Sequence, residues 1–244
     1  MKKRQRVLLV ICVAVFLGSG AYLAVQFSKY WIADHDFREL AEQVKAEEGN
    51  DIHLDALYKK NHDLIGWIKI KNTRVNYPVM QTKNDPEYYL RRNFEKEYSI
   101  SGTPFLAAES DIEMPTLNWV VYGHNMKDGS MFEDILKYGK QKFYKKHKTF
   151  VFDTVNRKGT WQVIAAGRTQ IYSKDYKGFK YYNFSGMTSR EDFEKYIDGV
   201  LELSEINTGK TAEYGDQLLT LSTCSYHLDG SDDGRFIVVA KRLD

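Results

Sequence analysis

The sequence predicts a mainly β fold, an antiparallel sheet or closed barrel with helical insertions, behind an N-terminal helical region. Three observations carry this. From Gly66 onward, short β-prone runs recur with turn residues between most of them. Two stretches with helical character interrupt those runs. The first 27 residues form a separate segment, basic and then apolar.

In chain order, Met1-Lys2-Lys3-Arg4-Gln5-Arg6 carries four positive charges, and Val7 to Phe27 carries no charged residue. At a rise of about 1.5 Å per residue such a run can cross a bilayer core of about 30 Å. Residues 1–6 are therefore expected as a cytoplasmic tail, 7–27 as a transmembrane signal-anchor, and the remainder as extracellular. A cleaved signal peptide near Gly18-Ser19-Gly20-Ala21 competes with this reading, but the apolar stretch continues past that point and favours the uncleaved anchor. Residues 28–63 read as a helical spacer or lid. Within them Asp34 to Glu48 presents Phe37, Leu40, Ala41 and Val44 as an apolar stripe, and a second helix runs from about Leu54 to Lys60.

Residues 64–244 read as one domain with a sizeable core. Its expected strands are Trp67 to Ile70, Val75 to Met80, Pro104 to Ala107, Trp119 to Tyr122, Thr149 to Asp153, Trp161 to Ile171, Leu218 to Leu221 and Arg235 to Ala240. The helical insertions cover Met131 to Tyr144 and about Thr188 to Glu205. The second opens with Thr188-Ser189-Arg190-Glu191, an N-terminal capping arrangement.

A net charge of +2 without a basic arm argues against a nucleic-acid partner. No glycine pattern suited to a phosphate is present, and the His, Cys and carboxylate residues lack metal-ligand spacing. Neither a metal nor an organic cofactor is expected.

Cys224 is the only cysteine outside the N-terminal apolar run, which holds Cys12. An unpaired thiol in an oxidising compartment is either reactive or incidental. Cys224 ends one β-prone run, Arg235 begins the next, and the turn-rich Asp229-Gly230-Ser231-Asp232-Asp233-Gly234 lies between them. If the runs pair, a permanent cation stands beside the thiol and favours the nucleophilic thiolate. A cysteine nucleophile also needs a proton-exchanging partner. His124 follows a strand and one glycine, so its ring should emerge at a strand end as Cys224 does. His227, three residues past Cys224, is its rival. His53, His62 and His147 read as solvent-exposed, and His35 lies close to the membrane. The three aspartates of the loop read as a solvated turn.

Tyr122-Gly123-His124, Thr220-Leu221-Ser222-Thr223-Cys224 and Arg235, in this order, resemble the sortases, membrane-anchored cysteine transpeptidases of Gram-positive bacteria. The segment Asn84-Asp85 to Phe94 and the helix before the cysteine strand are similar to class B members. The resemblance covers roughly residues 50 to 244 and implies an eight-stranded β-barrel with extra helices. It implies Cys224 as nucleophile, His124 as general acid/base and Arg235 as the residue holding substrate carbonyls and the oxyanion. Ser222, Thr223, Leu90 and Tyr182 are the implied contacts of a sorting peptide. The implied partners are a surface protein with an Asn-Pro-x-Thr-like signal and a peptidoglycan-precursor amine, with only a minor fraction of the enzyme holding thiolate and imidazolium together. Where many class B members resemble Phe-Leu-Asp, this chain has Ala107-Ala108-Glu109. A hydrolytic cysteine protease and a non-catalytic surface-binding domain are the alternatives.

Overall fold

The computed structural model describes residues 3–44, 53–114, 116–225 and 233–244. Each expected β-prone run contains a strand: β1 (Leu64–Lys69), β2 (Asn76–Met80), β3 (Phe105–Leu106), β4 (Asn118–Tyr122), β5 (Thr149–Thr154), β6 (Thr160–Gln170), β7 (Leu218–Cys224) and β8 (Gly234–Arg242). They close into a barrel in the order β1-β2-β3-β4-β7-β8-β6-β5. The barrel is mixed, because β2–β3 and β4–β7 pair in parallel while the other junctions are antiparallel. Parallel strands need a long crossover, and the chain between β4 and β7 supplies it with β5, β6 and two helices.

Side chains alternate across each strand, so a strand covered on both faces reads as a continuous apolar run. In β8, Phe236, Val238 and Ala240 belong to the barrel core, while Ile237 and Val239 belong to a second cluster outside it. The barrel core includes Trp119 and Trp161, whose rings lie 5.7 Å apart. Their indole N–H groups donate to the carbonyls of Asp111 and Phe152, so neither large ring buries an unpaired donor.

The outer cluster is roofed by a helix between β6 and β7. It spans Arg190–Glu202 and buries Phe193, Tyr196, Ile197 and Val200. Its cap lies one residue later than the Thr188–Glu191 spacing suggests: Ser189 Oγ accepts the Asp192 N–H at 3.1 Å. The other expected insertion, Met131 to Tyr144, is not one helix. Met131 has φ 57°, outside the right-handed helical region, a 3-10 turn covers Glu133–Gly139, and a short helix covers Gln141–Lys146. Lys140 between the last two is extended, with φ −112° and ψ 120°.

At the N-terminus a single helix, α1, runs from Lys3 to Gln43, merging the apolar run with the expected spacer helix. Phe37, Leu40, Ala41 and Val44 are buried as their spacing predicts, and Phe37 meets Tyr77 edge-on at 5.2 Å. Helix α2 (Asp55–Lys60) follows and buries Leu57. Among the described residues no helix is long and apolar enough to cross a membrane, so the span expected over Val7 to Phe27 is not found there.

Candidate active site

The parallel β4–β7 pair determines the site. Antiparallel neighbours end at opposite rims of a barrel, whereas parallel neighbours end at the same one. Tyr122 pairs with Ser222 at that rim, so Gly123-His124 and Thr223-Cys224 leave the sheet side by side. Hydrogen bonds join the two exits. Gly123 N–H donates to the Ser222 carbonyl at 3.0 Å, Thr223 Oγ–H to the Gly123 carbonyl at 2.7 Å, and Asn125 Nδ2–H to the Cys224 carbonyl at 3.0 Å. Glycine is required at 123 because a Cβ there would lie 2.6 Å from the Phe132 ring. The Phe132 N–H in turn donates to the His124 carbonyl at 2.8 Å.

The antiparallel β7–β8 pair adds the cation. Cys224 stands opposite Arg235, and directly opposed residues share a face with Cβ atoms about 5 Å apart. The Arg235 guanidinium donates to the Gly234 carbonyl at 2.9 Å.

These side chains meet in a groove of about 490 Å³. His124, Cys224 and Arg235 line it, as do Leu90, Tyr182, Ser222 and Thr223. The hydroxyls of Ser222 and Thr223 are engaged within the protein, Ser222 Oγ with the Tyr181 hydroxyl at 2.7 Å and Thr223 with Gly123. Sequence reasoning missed Glu87, Phe105 and Ile171 in the lining. The Ala107-Ala108-Glu109 departure does fall in the groove wall. Sequence reasoning also missed Tyr181, fully buried beneath the groove next to the groove-lining Tyr182, because adjacent tyrosines carry no local signal of which one points inward.

His227, Asp229 and Asp232 lie outside the described residues. Asp233 is exposed, and its carbonyl accepts the Ile171 N–H. His53 and His62 are exposed as expected, but His147 is half-buried and stacked on Phe143 at 4.0 Å. Among the described residues no His, Cys or carboxylate cluster could hold a metal ion.

Burial pushes the His124 imidazole below its ordinary value, and the nearby Arg91 charge adds to this. A hydrogen bond with the Leu90 carbonyl, Nε2 to O 2.8 Å, opposes both. Because a carbonyl only accepts, Nε2 carries the proton in that contact. Burial pushes Tyr181 up to about 12 and raises Tyr122 as well, so both phenols stay neutral, Tyr122 in the groove wall and Tyr181 beneath it.

Residues 68–243 match the Sortase domain family. Over 188 residues, 77% of this chain, it is 34% identical to sortase B of Staphylococcus aureus (strain NCTC 8325 / PS 47), covering 73% of that protein. It is 33% identical over the same length to sortase B of Listeria monocytogenes serovar 1/2a, again covering 77% of this chain and 73% of that protein. The fold is similar to a solved Staphylococcus aureus sortase B–substrate complex, with a TM-score of 0.74 and 29% identity over 86% of this chain and 95% of the other. The chain belongs to the sortase family, among its class B members, and is a sortase-type cysteine transpeptidase.

Proposed function

We propose that this enzyme cleaves a C-terminal sorting signal after threonine and joins the released surface protein to an amine of a cell-wall precursor. Cys224 Sγ, as thiolate, attacks the threonine carbonyl carbon. A C–S bond forms, and the C–N bond breaks as the leaving amine takes a proton from the His124 imidazolium. An incoming amine then attacks the thioester. The new C–N bond forms, the C–S bond breaks, and neutral His124 takes the surplus proton. Arg235 stabilises the oxyanion that develops in each transfer.

The observation that carries this reading is the opposition of Cys224 and Arg235 across β7 and β8, with His124 lining the same groove. The lowered His124 value also fits an imidazolium carried by a minority of molecules at neutral pH. An Asn-Pro-x-Thr-like signal is the proposed substrate, on class B similarity. Leu90, Tyr182, Ser222 and Thr223 are its proposed neighbours.

Attachment through the N-terminal segment is proposed from the sequence: four cations, then an uncharged run, orient residues 1–6 to the cytoplasm and the barrel outward. The apolar side chains described between Leu9 and Val25 are exposed along α1, which suits a lipid environment. Recovery of the full chain in the soluble fraction of disrupted cells would refute that arrangement.

Mass spectrometry of the full chain in detergent, incubated with threonine-containing sorting peptides, tests the reaction. A thioacyl adduct on Cys224 that converts to an amide on addition of amine is the expected result. Free acid alone in the presence of amine would identify a hydrolase, and no adduct with any peptide would remove the catalytic reading.

A further inference from the structure

His124 Nε2 donates to a backbone carbonyl, that of Leu90, and among the described residues no carboxylate is hydrogen-bonded to the ring. The carbonyl therefore does for this imidazole what a carboxylate does in a catalytic triad: it holds the Nε2–H tautomer, leaving Nδ1 to gain and release the proton. The question is what holds the carbonyl.

Leu90 lies in a 3-10 turn, Tyr88–Arg91, that has no side-chain cap. Its anchor is Tyr89, which is fully buried. The Tyr89 hydroxyl accepts the Asn61 Nδ2–H at 2.8 Å and donates to Asp63 Oδ2 at 2.8 Å. Its own carbonyl accepts the Thr103 N–H at 3.0 Å. Burial raises the phenol's pKa, so it remains a donor to the Asp63 carboxylate. The chain at residue 102 backs the same peptide: Gly102 has φ +57°, and a Cβ there would stand 2.4 Å from the Leu90 oxygen. Asn61 and Asp63 lie between α2 and β1, so this network reaches the groove from the N-terminal region.

We propose that Tyr89 is the positioning residue for His124, setting its tautomer through the Leu90 carbonyl, with Asn61 and Asp63 holding Tyr89 in place. This rests on His124 being the acid–base group.

Nitrogen-15 NMR of the His124 ring, recorded on the full chain in detergent across pH, reads tautomer and titration midpoint without reference to activity. Tyr89→Phe keeps the ring and loses both hydroxyl bonds. It should convert a single Nε2–H tautomer into a mixture and lower the midpoint further, because the Leu90 contact is what raises it. The value of kcat should fall roughly tenfold or more, with KM changed less than about twofold. Asp63→Ala should act in the same direction and Asp63→Asn should restore the tautomer, since an amide oxygen still accepts from Tyr89. Both Asp63 variants lose the carboxylate partner of Lys96, so that ion pair cannot explain a difference between them. Unchanged tautomer and midpoint in Tyr89→Phe and Asp63→Ala, whatever their stability, would overturn the proposal. Full activity in His124→Ala would instead remove the acid–base reading, while the ring's tautomer would still decide the positioning.

Discussion

One face of β7 presents Leu218, Thr220, Ser222 and Cys224, and its lower and upper parts differ in what covers them. Below, Thr220 is fully buried, with Oγ1 2.5 Å from the Tyr196 hydroxyl and bonded to Asn118 Oδ1. Ser222 is nearly as buried and touches the Tyr181 hydroxyl. Above, Cys224 is half-buried and lines the groove. The opposite strand changes with it, from Val239 and Ile237 in the outer cluster to Arg235 in the groove. The site is thus the uncovered continuation of a packed layer. Tyrosine hydroxyls satisfy the polar residues where the roof is present, and at the rim the thiol and guanidinium face open space for a peptide.

The largest expected effects separate the open end from the covered one. Cys224→Ala should lower transfer about ten-thousandfold or more, leaving no adduct, and His124→Ala should cost between about a hundredfold and ten-thousandfold, while His227→Ala retains most activity. Equal loss from both histidine variants would assign the proton transfer wrongly. Arg235→Lys keeps the charge but loses the planar fork, so single-turnover rates should drop about a hundredfold, and a wild-type rate would show that the charge alone, without the fork, stabilises the oxyanion.

The comparison sharpens with the two tyrosines. Tyr196→Phe and Tyr181→Phe each remove one buried hydroxyl bond, worth about 1 kcal/mol of unfolding free energy in denaturant melts. Only Tyr181→Phe should also raise KM for a sorting peptide, because Ser222 walls the groove and Thr220 does not. Equal KM values would mean that the rim is as insulated as the covered face.

The smallest effect is on pH. His124 is lowered in the folded protein from its ordinary 6.5, so below that pH the unfolded chain binds more protons than the folded one. Relative to His124→Gln, wild-type stability should be level above about pH 6.5 and decline as pH falls through the folded value. A level difference down to pH 5 would show that the ring is not held neutral by burial.

Strand positions were legible because period-two alternation and turn residues are local properties, and the Cys224–Arg235 opposition followed from one short loop. The break-up of the helix expected from Met131 to Tyr144 was not legible, since its propensity pattern says nothing of the positive φ that Met131 adopts. The position of the N-terminal cap is ambiguous for a similar reason: Thr188 and Ser189 both offer a hydroxyl, and it is Ser189 Oγ that accepts the Asp192 N–H. The site's chemistry came from motif resemblance; its second layer of Tyr181, Tyr89 and the Leu90 carbonyl had no local signature.

The sequence by itself thus determined the strands and the three residues near strand ends, because burial periodicity and turn chemistry act over a few residues, while the closed barrel was implied by the motif resemblance. Only the tertiary structure decided the parallel β4–β7 junction, which brings His124 to the rim of Cys224 across the long crossover, and the carbonyl that orients the imidazole. Both depend on groups distant in the chain meeting where burial and hydrogen bonding are satisfied together. No window along the sequence contains that condition.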